Sequence, residues 1–182
     1  MRKCGECTLC CRLTPVRELH KPANTRCKHQ RMGKGCAIYA KRPHSCALWN
    51  CRWLGDPDAT AELSRPDRSH YVIDVMPDFV TALNNATGAM QQVQVLQVWI
   101  DPAYPLAHRD PALRAYLLRQ GERGIAAIMR YGSDKAFVLF PPNMATDGQW
   151  HEQGGEMVER AHTMTEVEEA LGGKMQLEIR ET

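Results

Sequence analysis

All eight cysteines of this 182-residue chain, Cys4, Cys7, Cys10, Cys11, Cys27, Cys36, Cys46 and Cys51, lie within its first 51 residues. Charge divides at nearly the same place. Residues 1–55 hold twelve Lys or Arg against two Asp or Glu, a net of +10, while the remainder holds eleven against nineteen, a net of −8. So sharp a break predicts a cysteine-rich module over 1–55 and a conventional domain over 69–182. The linker expected at 56–68 opens on Gly55-Asp56-Pro57-Asp58, a run of turn-forming residues. At 43% hydrophobic and 24% charged residues, the chain has ordinary globular composition. No apolar run approaches the roughly 18–20 residues of a membrane helix, so no membrane span is expected. The first thirty residues hold five cysteines and show no apolar signal segment, which points to the cytoplasm.

Three uses of the cysteines compete. Disulfides require an oxidising compartment, to which nothing in the sequence directs this chain, and the adjacent pair Cys10 and Cys11 suits a disulfide framework poorly. Buried free thiols pack as small hydrophobes, but the run Cys4-x-x-Cys7-x-x-Cys10-Cys11 is too regular for packing alone. Metal binding is the third use, and the spacing favours it. On a helix at 100° per residue these four thiols fall within an arc of roughly 120°. A tight loop around Gly5 is the alternative. Either geometry gathers groups that repel once ionised unless a cation lies between them. Arg2, Lys3, Arg12, Lys28, Arg31, Lys34, Lys41, Arg42 and Arg52 would then be the counter-charge.

CxxCxxCC over Cys4, Cys7, Cys10 and Cys11 is followed by Cys27, by Gly35-Cys36-Ala37-Ile38-Tyr39 and by Arg42-Pro43-His44-Ser45-Cys46. This order resembles the YkgJ-like cysteine-cluster family, a zinc- or iron-chelating domain, across residues 1–55. The family usually places a Gly in the second CxxC spacing, whereas Gly5 stands in the first. The resemblance implies a metal-binding module with all eight cysteines as ligands, Cys51 being the eighth, and it implies no reaction. Zinc favours paired CxxC motifs, and Cys27, Cys36, Cys46 and Cys51 supply no second pair. Three cysteines at x2, x2 are closer to iron–sulfur ligation, so an iron–sulfur cluster is expected ahead of Zn²⁺. His20, His29 and His44 could replace a cysteine. Tyr39, Trp49 and Trp53 are expected to form an apolar shell, with base stacking the alternative.

Beyond the linker, 70–76 (HYVIDVM), 79–83 and 93–100 read as strands, with Asn84-Asn85-Ala86-Thr87-Gly88 as the turn of a hairpin or meander. Asp110-Pro111 is an N-cap followed by proline at the first helical position, opening a helix to about Gln120 that buries Leu113, Tyr116 and Leu117. Residues 124–131 fit helix or strand equally. Residues 136–140 read as a strand stopped by Pro141-Pro142, and Asp147-Gly148 as a turn. Residues 156–160 read as a short strand, and 165–168 as a capping box on a helix ended by Gly172. Residues 174–180 read as a last strand or a tail. The expected class is α+β with a mainly antiparallel sheet behind the metal module.

Catalytic signatures are few. His108-Arg109-Asp110 spells a kinase triplet but lacks its partner motifs, and so reads as the polar start of a helix. His70, Asp74 and Asp101 form a candidate second metal or acid–base group. The function expected from sequence is a metal-binding protein, structural or electron-carrying and without enzymatic activity, whose 69–182 domain contacts a protein partner. One alternative is an iron–sulfur enzyme, since flagellin lysine methylases carry a similar CxxCxxCC motif within a longer chain. The other is a zinc-supported module binding nucleic acid through its basic excess.

Overall fold

The computed structural model describes residues 2–74, 78–84, 87–131, 135–140, 147 and 151–156. The cysteine-bearing segment is built from short pieces. They are helix α1 (Cys10–Leu13), a hairpin of β1 (Gln30–Arg31) and β2 (Gly35–Cys36), and helices α2 (His44–Leu48), α3 (Arg52–Gly55) and α4 (Pro66–Ser69). A six-stranded sheet follows, formed by β3 (Tyr71–Ile73), β4 (Asp78–Asn84), β5 (Ala89–Ile100), β6 (Ala126–Tyr131), β7 (Lys135–Phe140) and β8 (His151–Glu156).

Strand β5 organises this sheet. Its first half pairs antiparallel with β4 from Asn84↔Ala89 to Asp78↔Val95, and its end pairs antiparallel with β3 through Val72↔Trp99. The connection between β4 and β5 is the turn predicted at 84–88, where Gly88 takes φ +71 and its N–H donates to Asn84 O at 2.8 Å. Along its other edge β5 pairs in parallel with β6 from Val95↔Ala126 to Ile100↔Tyr131. Parallel neighbours need a crossover, here provided by α5 (Pro111–Glu122). The Asp110 carboxylate accepts from Ala112 N at 2.9 Å and caps the first turn. Strands β6, β7 and β8 then continue antiparallel.

The expectation of a mainly antiparallel sheet behind a metal module therefore needs correction. The fold is α+β with a mixed sheet, because 124–131, ambiguous by periodicity, becomes the parallel strand β6. A cysteine-rich metal-binding module is absent from the described residues. The last described strand is β8, earlier than the strand read at 156–160, most of which lies outside the described residues. The proline pair at 141–142, the capping box at 165–168, Gly172 and the tail at 174–180 also lie outside them.

Alternation along β5 decides what covers each face. Leu96, Val98 and Ile100 join Tyr71, Ile73, Ala127 and Met129 beneath Leu113, Tyr116 and Leu117 of α5. Trp99 points the other way and, with Val72 of β3, packs against Cys7, Leu9 and Leu13. Residues 95–100 are consequently buried on both faces, while 89–92 and 94 are not. The cysteine-bearing segment is the cover of the second face. Leu13 is completely buried there, and Cys10, Ala23, Trp49 and Cys51 pack at the margin. Among the described residues no helix is long and apolar enough to cross a membrane.

Candidate thiol site

Residues 4–11 do not form one helix. The chain turns at Gly5 (φ +53), where Cys7 N–H donates to Cys4 O at 3.0 Å. The helical turn of α1 begins only at Cys10, with Leu13 N–H reaching back to Leu9 O at 3.0 Å. The β1–β2 hairpin closes against this corner. At Gly35 (φ +84) an added Cβ would lie 2.8 Å from Gly5 O, so only glycine allows so close an approach. Gln30 Nε2 fastens the same hairpin to Thr8 Oγ1 at 2.8 Å.

The corner brings Cys4, Cys7 and Cys10 beside Cys51, which arrives from the start of α3. A β-bridge between Cys51 and Asp74 fixes it against the sheet. With Trp53, Leu54, Pro66 and Val72, these four cysteines line a small apolar cleft. Arg2 stacks over Trp53 at 4.7 Å and donates to Trp53 O and to Thr60, closing one wall.

Within the cleft the thiols differ. The Cys4 thiol donates to Cys7 O at 3.4 Å, and the Cys10 thiol neighbours those of Cys4 and Cys11. The Cys10 hydrogen bond, with help from the charges of Arg42 and Arg65, draws Cys4 from 9.0 down to about 7 against the cost of its burial. Cys11 is lowered for the same first reason. Cys10 is pushed far up by its bonds to Cys11 and Cys4 and by burial. Burial alone leads for Cys7 and Cys51, each raised to about 11. One cleft thus holds a thiolate-forming cysteine and three that keep their protons.

A second gathering lies across Cys11. Cys27 N–H donates to Cys11 O at 3.0 Å, and Cys46 is close enough that the charges of Cys11 and Cys27 add to the burial that raises it. Beneath them is Lys21, whose Nζ donates to the carbonyls of Arg12 (3.3 Å), Pro22 (3.1 Å) and Thr14. Desolvation lowers the Lys21 pKa, opposed by Cys27, Cys11, Cys10 and Cys46. Cys36 sits on β2, paired with Gln30. All eight cysteines are free thiols.

The metal expectation is overturned. Among the described residues, no group of three or more His, Cys, Asp or Glu side chains could hold a metal ion. The iron–sulfur cluster or Zn²⁺ expected on Cys4, Cys7, Cys10, Cys11, Cys27, Cys36, Cys46 and Cys51 therefore finds no such group to hold it among the described residues. The chain takes the tight loop around Gly5 and not the helix, and Cys11 is left out of the cleft that Cys4, Cys7, Cys10 and Cys51 line. With the cluster go the resemblance to the YkgJ-like family, the iron–sulfur enzyme and the zinc-supported nucleic-acid module. His20, His29 and His44 complete no site either. His20 is an exposed residue in the left-handed region, the His29 carbonyl accepts from Ala37 N–H at 2.8 Å, and His44 opens α2.

The apolar shell forms in part. Trp53 lines the cleft and Trp49 packs at its margin, but Tyr39 is 56% exposed with Arg42 stacked on its ring at 4.1 Å. His70, Asp74 and Asp101 do not converge. Asp74 accepts from Trp49 Nε1 at 2.7 Å, while Asp101 is engaged by Arg12 and by Ala103 N–H at 2.9 Å. His70 Nδ1 is 3.9 Å from Asp101, beyond hydrogen-bond reach, and its ring stacks on Tyr104 at 3.5 Å. The His108-Arg109-Asp110 triplet is indeed a helix start: Asp110 caps α5 and also accepts from the Tyr71 hydroxyl at 2.9 Å.

Sequence reasoning missed the Arg12–Asp101 pair, the carbonyl cage of Lys21 and the arrival of Cys51 beside Cys4. No local signal announces any of them. No protein-family model, no curated protein and no solved structure matches this chain.

Proposed function

We propose that the chain is a thiol redox protein that exchanges electrons with disulfides through Cys4 and Cys10. The observation that carries this reading is the meeting of Cys4 and Cys10 in one apolar cleft, with Cys11 beside Cys10. Exchange needs an ionised attacking thiol, a second thiol within reach to resolve the mixed disulfide, and access for the partner. Cys4 is half-buried, and its neighbour Cys10 retains the proton until the second step.

Cys4 thiolate attacks one sulfur of a partner disulfide. The partner S–S bond breaks, a mixed disulfide forms on Cys4, and the departing sulfur leaves as a thiolate. Cys10 then gives its proton to that thiolate or to water and attacks the Cys4 sulfur. The Cys4–Cys10 disulfide forms and the second partner sulfur is released. The chain loses two electrons, and the partner gains them as two thiols. Cys7 and Cys51, each held protonated by desolvation, stay out of the exchange. We read the chain as a stoichiometric exchanger and sensor rather than a turnover enzyme. We place it in the cytoplasm because eight free thiols suit a reducing compartment.

The test is disulfide mapping. Reduced protein is titrated with oxidised dithiothreitol, quenched by alkylation and digested for mass spectrometry. A dominant, reversible Cys4–Cys10 linkage is expected, with Cys7 and Cys51 alkylated only after unfolding. Scrambled pairings, or oxidation no faster than that of a free cysteine, would overturn the proposal.

A further inference from the structure

The basic excess of the first 55 residues has lost its role as counter-charge to a metal, yet the structure keeps it around the thiol cleft. Lys3, Arg26, Lys28, Arg31 and Lys34 are all exposed. The last four flank or belong to the β1–β2 hairpin, which the Gly35–Gly5 contact presses against the corner bearing Cys4. Against them stand two acids of the same segment, and Asp67 of α4, whose charge also acts on Cys4. Glu6 is exposed, and Glu18 is occupied by Ser45, accepting from its N–H at 2.9 Å and its hydroxyl at 2.7 Å.

Two guanidinium groups act on Cys4 itself, those of Arg42 and Arg65. They are not equivalent. Arg65 forms a two-point pair with Asp67 at 2.6 and 2.7 Å, which spends its planar fork. Arg42 lies over the Tyr39 ring, its guanidinium carbon 4.1 Å from the centroid.

Resting on the exchange reading above, we infer that Cys4 reacts preferentially with disulfides bearing carboxylates, the cations of the adjoining hairpin steering their approach. Fields of this kind raise association rates by roughly 10- to 1,000-fold, and salt diminishes them. A cationic disulfide meets the same field as a barrier.

The experiment measures stopped-flow rates of the reduced full-length chain with three probes: anionic 5,5′-dithiobis(2-nitrobenzoate), neutral hydroxyethyl disulfide and cationic cystamine. Each rate is divided by that of the uncharged reference thiol N-acetylcysteinamide at the same pH, which removes differences in leaving group. The normalised anionic rate is expected to exceed the cationic one by about 10-fold or more at low ionic strength. The gap should shrink as salt is raised, and Arg42→Gln should narrow it further. Equal normalised rates that salt leaves unchanged would overturn the inference while leaving the exchange reading intact. Rates at or below the reference for all three probes would overturn the exchange reading as well. The salt series on the unaltered chain decides the matter even if Arg42→Gln folds poorly.

Discussion

Trp49 and Asp74 join the cysteine-bearing segment to the sheet, the indole N–H donating to the carboxylate at 2.7 Å. Asp74 is buried at the end of β3, and its backbone bridges Cys51 two residues beyond that tryptophan. One aspartate thus fixes both the covering segment and one wall of the thiol cleft.

Trp49→Phe keeps the ring and removes the donor. A hydrogen bond to a charged group contributes roughly 1.5–3 kcal/mol, and the partial exposure of Trp49 argues for the lower end. In a chain of this length each kcal/mol corresponds to about 2–4 °C, so thermal unfolding should begin a few degrees lower. Alkylation of Cys51 should quicken at the same time. Asp74→Asn, which retains an acceptor oxygen, should lose less.

The Cys4–Cys10 contact fixes a pH signature. Iodoacetamide labelling of Cys4 should rise with a midpoint near pH 7, while native Cys7 and Cys51 stay inert until about pH 11. Cys10→Ala removes the hydrogen bond to the Cys4 thiolate and should return the midpoint towards 9. Cys10→Ser, which keeps a donor, should restore part of the shift. Stability follows the same groups with opposite signs. The lowered pKa of Cys4 stabilises the fold fully above about pH 9, and that contribution is lost as pH falls through 7. The raised values of Cys7 and Cys51 stabilise it below about pH 9, and that contribution is lost as pH rises towards 11. Denaturant midpoints measured from pH 6 to 10.5 should therefore fall at the alkaline end.

The parts of this fold legible in sequence are those whose cause is local. Asp110 and Pro111 announce the start of α5 because cap and first-turn geometry are set within three residues. The turn ending at Gly88 is equally self-contained. Strand β6 was ambiguous because it is buried on both faces, which erases the period-2 pattern. The cysteine corner was legible only in part: the spacing allows a helix or a tight loop around Gly5, and the loop that forms is completed by Gly35, thirty residues away. Cys51 reaches the cleft through a bridge to Asp74, and Arg12 reaches Asp101 across 89 positions of sequence. Pairings at that distance leave no periodicity to read.

The Arg12–Asp101 pair ties α1, which carries Cys10 and Cys11, to the end of β5. Asp101 is 2% exposed and Arg12 is 36% exposed, so water screens one partner only. Removing the arginine leaves a buried carboxylate holding Ala103 N–H as its remaining close donor. Fully buried pairs broken in this way cost about 3–5 kcal/mol, and the exposure of Arg12 reduces the expectation to about 1–3 kcal/mol. Arg12→Gln should therefore lower the denaturant midpoint. It should also speed hydrogen exchange at the amides of Leu13 and Thr14, which close α1 onto Leu9 and Cys10. Asp101→Asn with Arg12→Gln should recover part of the loss, because the stranded charge is then gone.

Gly35 gives the most local test of the cleft. Gly35→Ala places a methyl group 2.8 Å from the Gly5 carbonyl oxygen, at a φ of +84 that a side chain resists on its own account. The obstacle is backbone, so the hairpin or the Cys4 corner has to move. The left-handed conformation alone costs roughly 1–2 kcal/mol, and the displacement adds to it. If the hairpin positions the corner, the substitution should change Cys4 labelling more than it changes the core. Cys4 reactivity should then lose its midpoint near pH 7, while hydrogen-exchange protection of Leu113 and Met129, in the core on the face away from the corner, stays unaltered. Gly33→Ala makes a matched control. It lies in the same hairpin at φ +62 with nothing within 4 Å of the added carbon, so it carries the conformational cost without the collision. Cys4 labelling that shifts equally in both variants would show that hairpin strain, and not the Gly35–Gly5 contact, sets the thiol's environment.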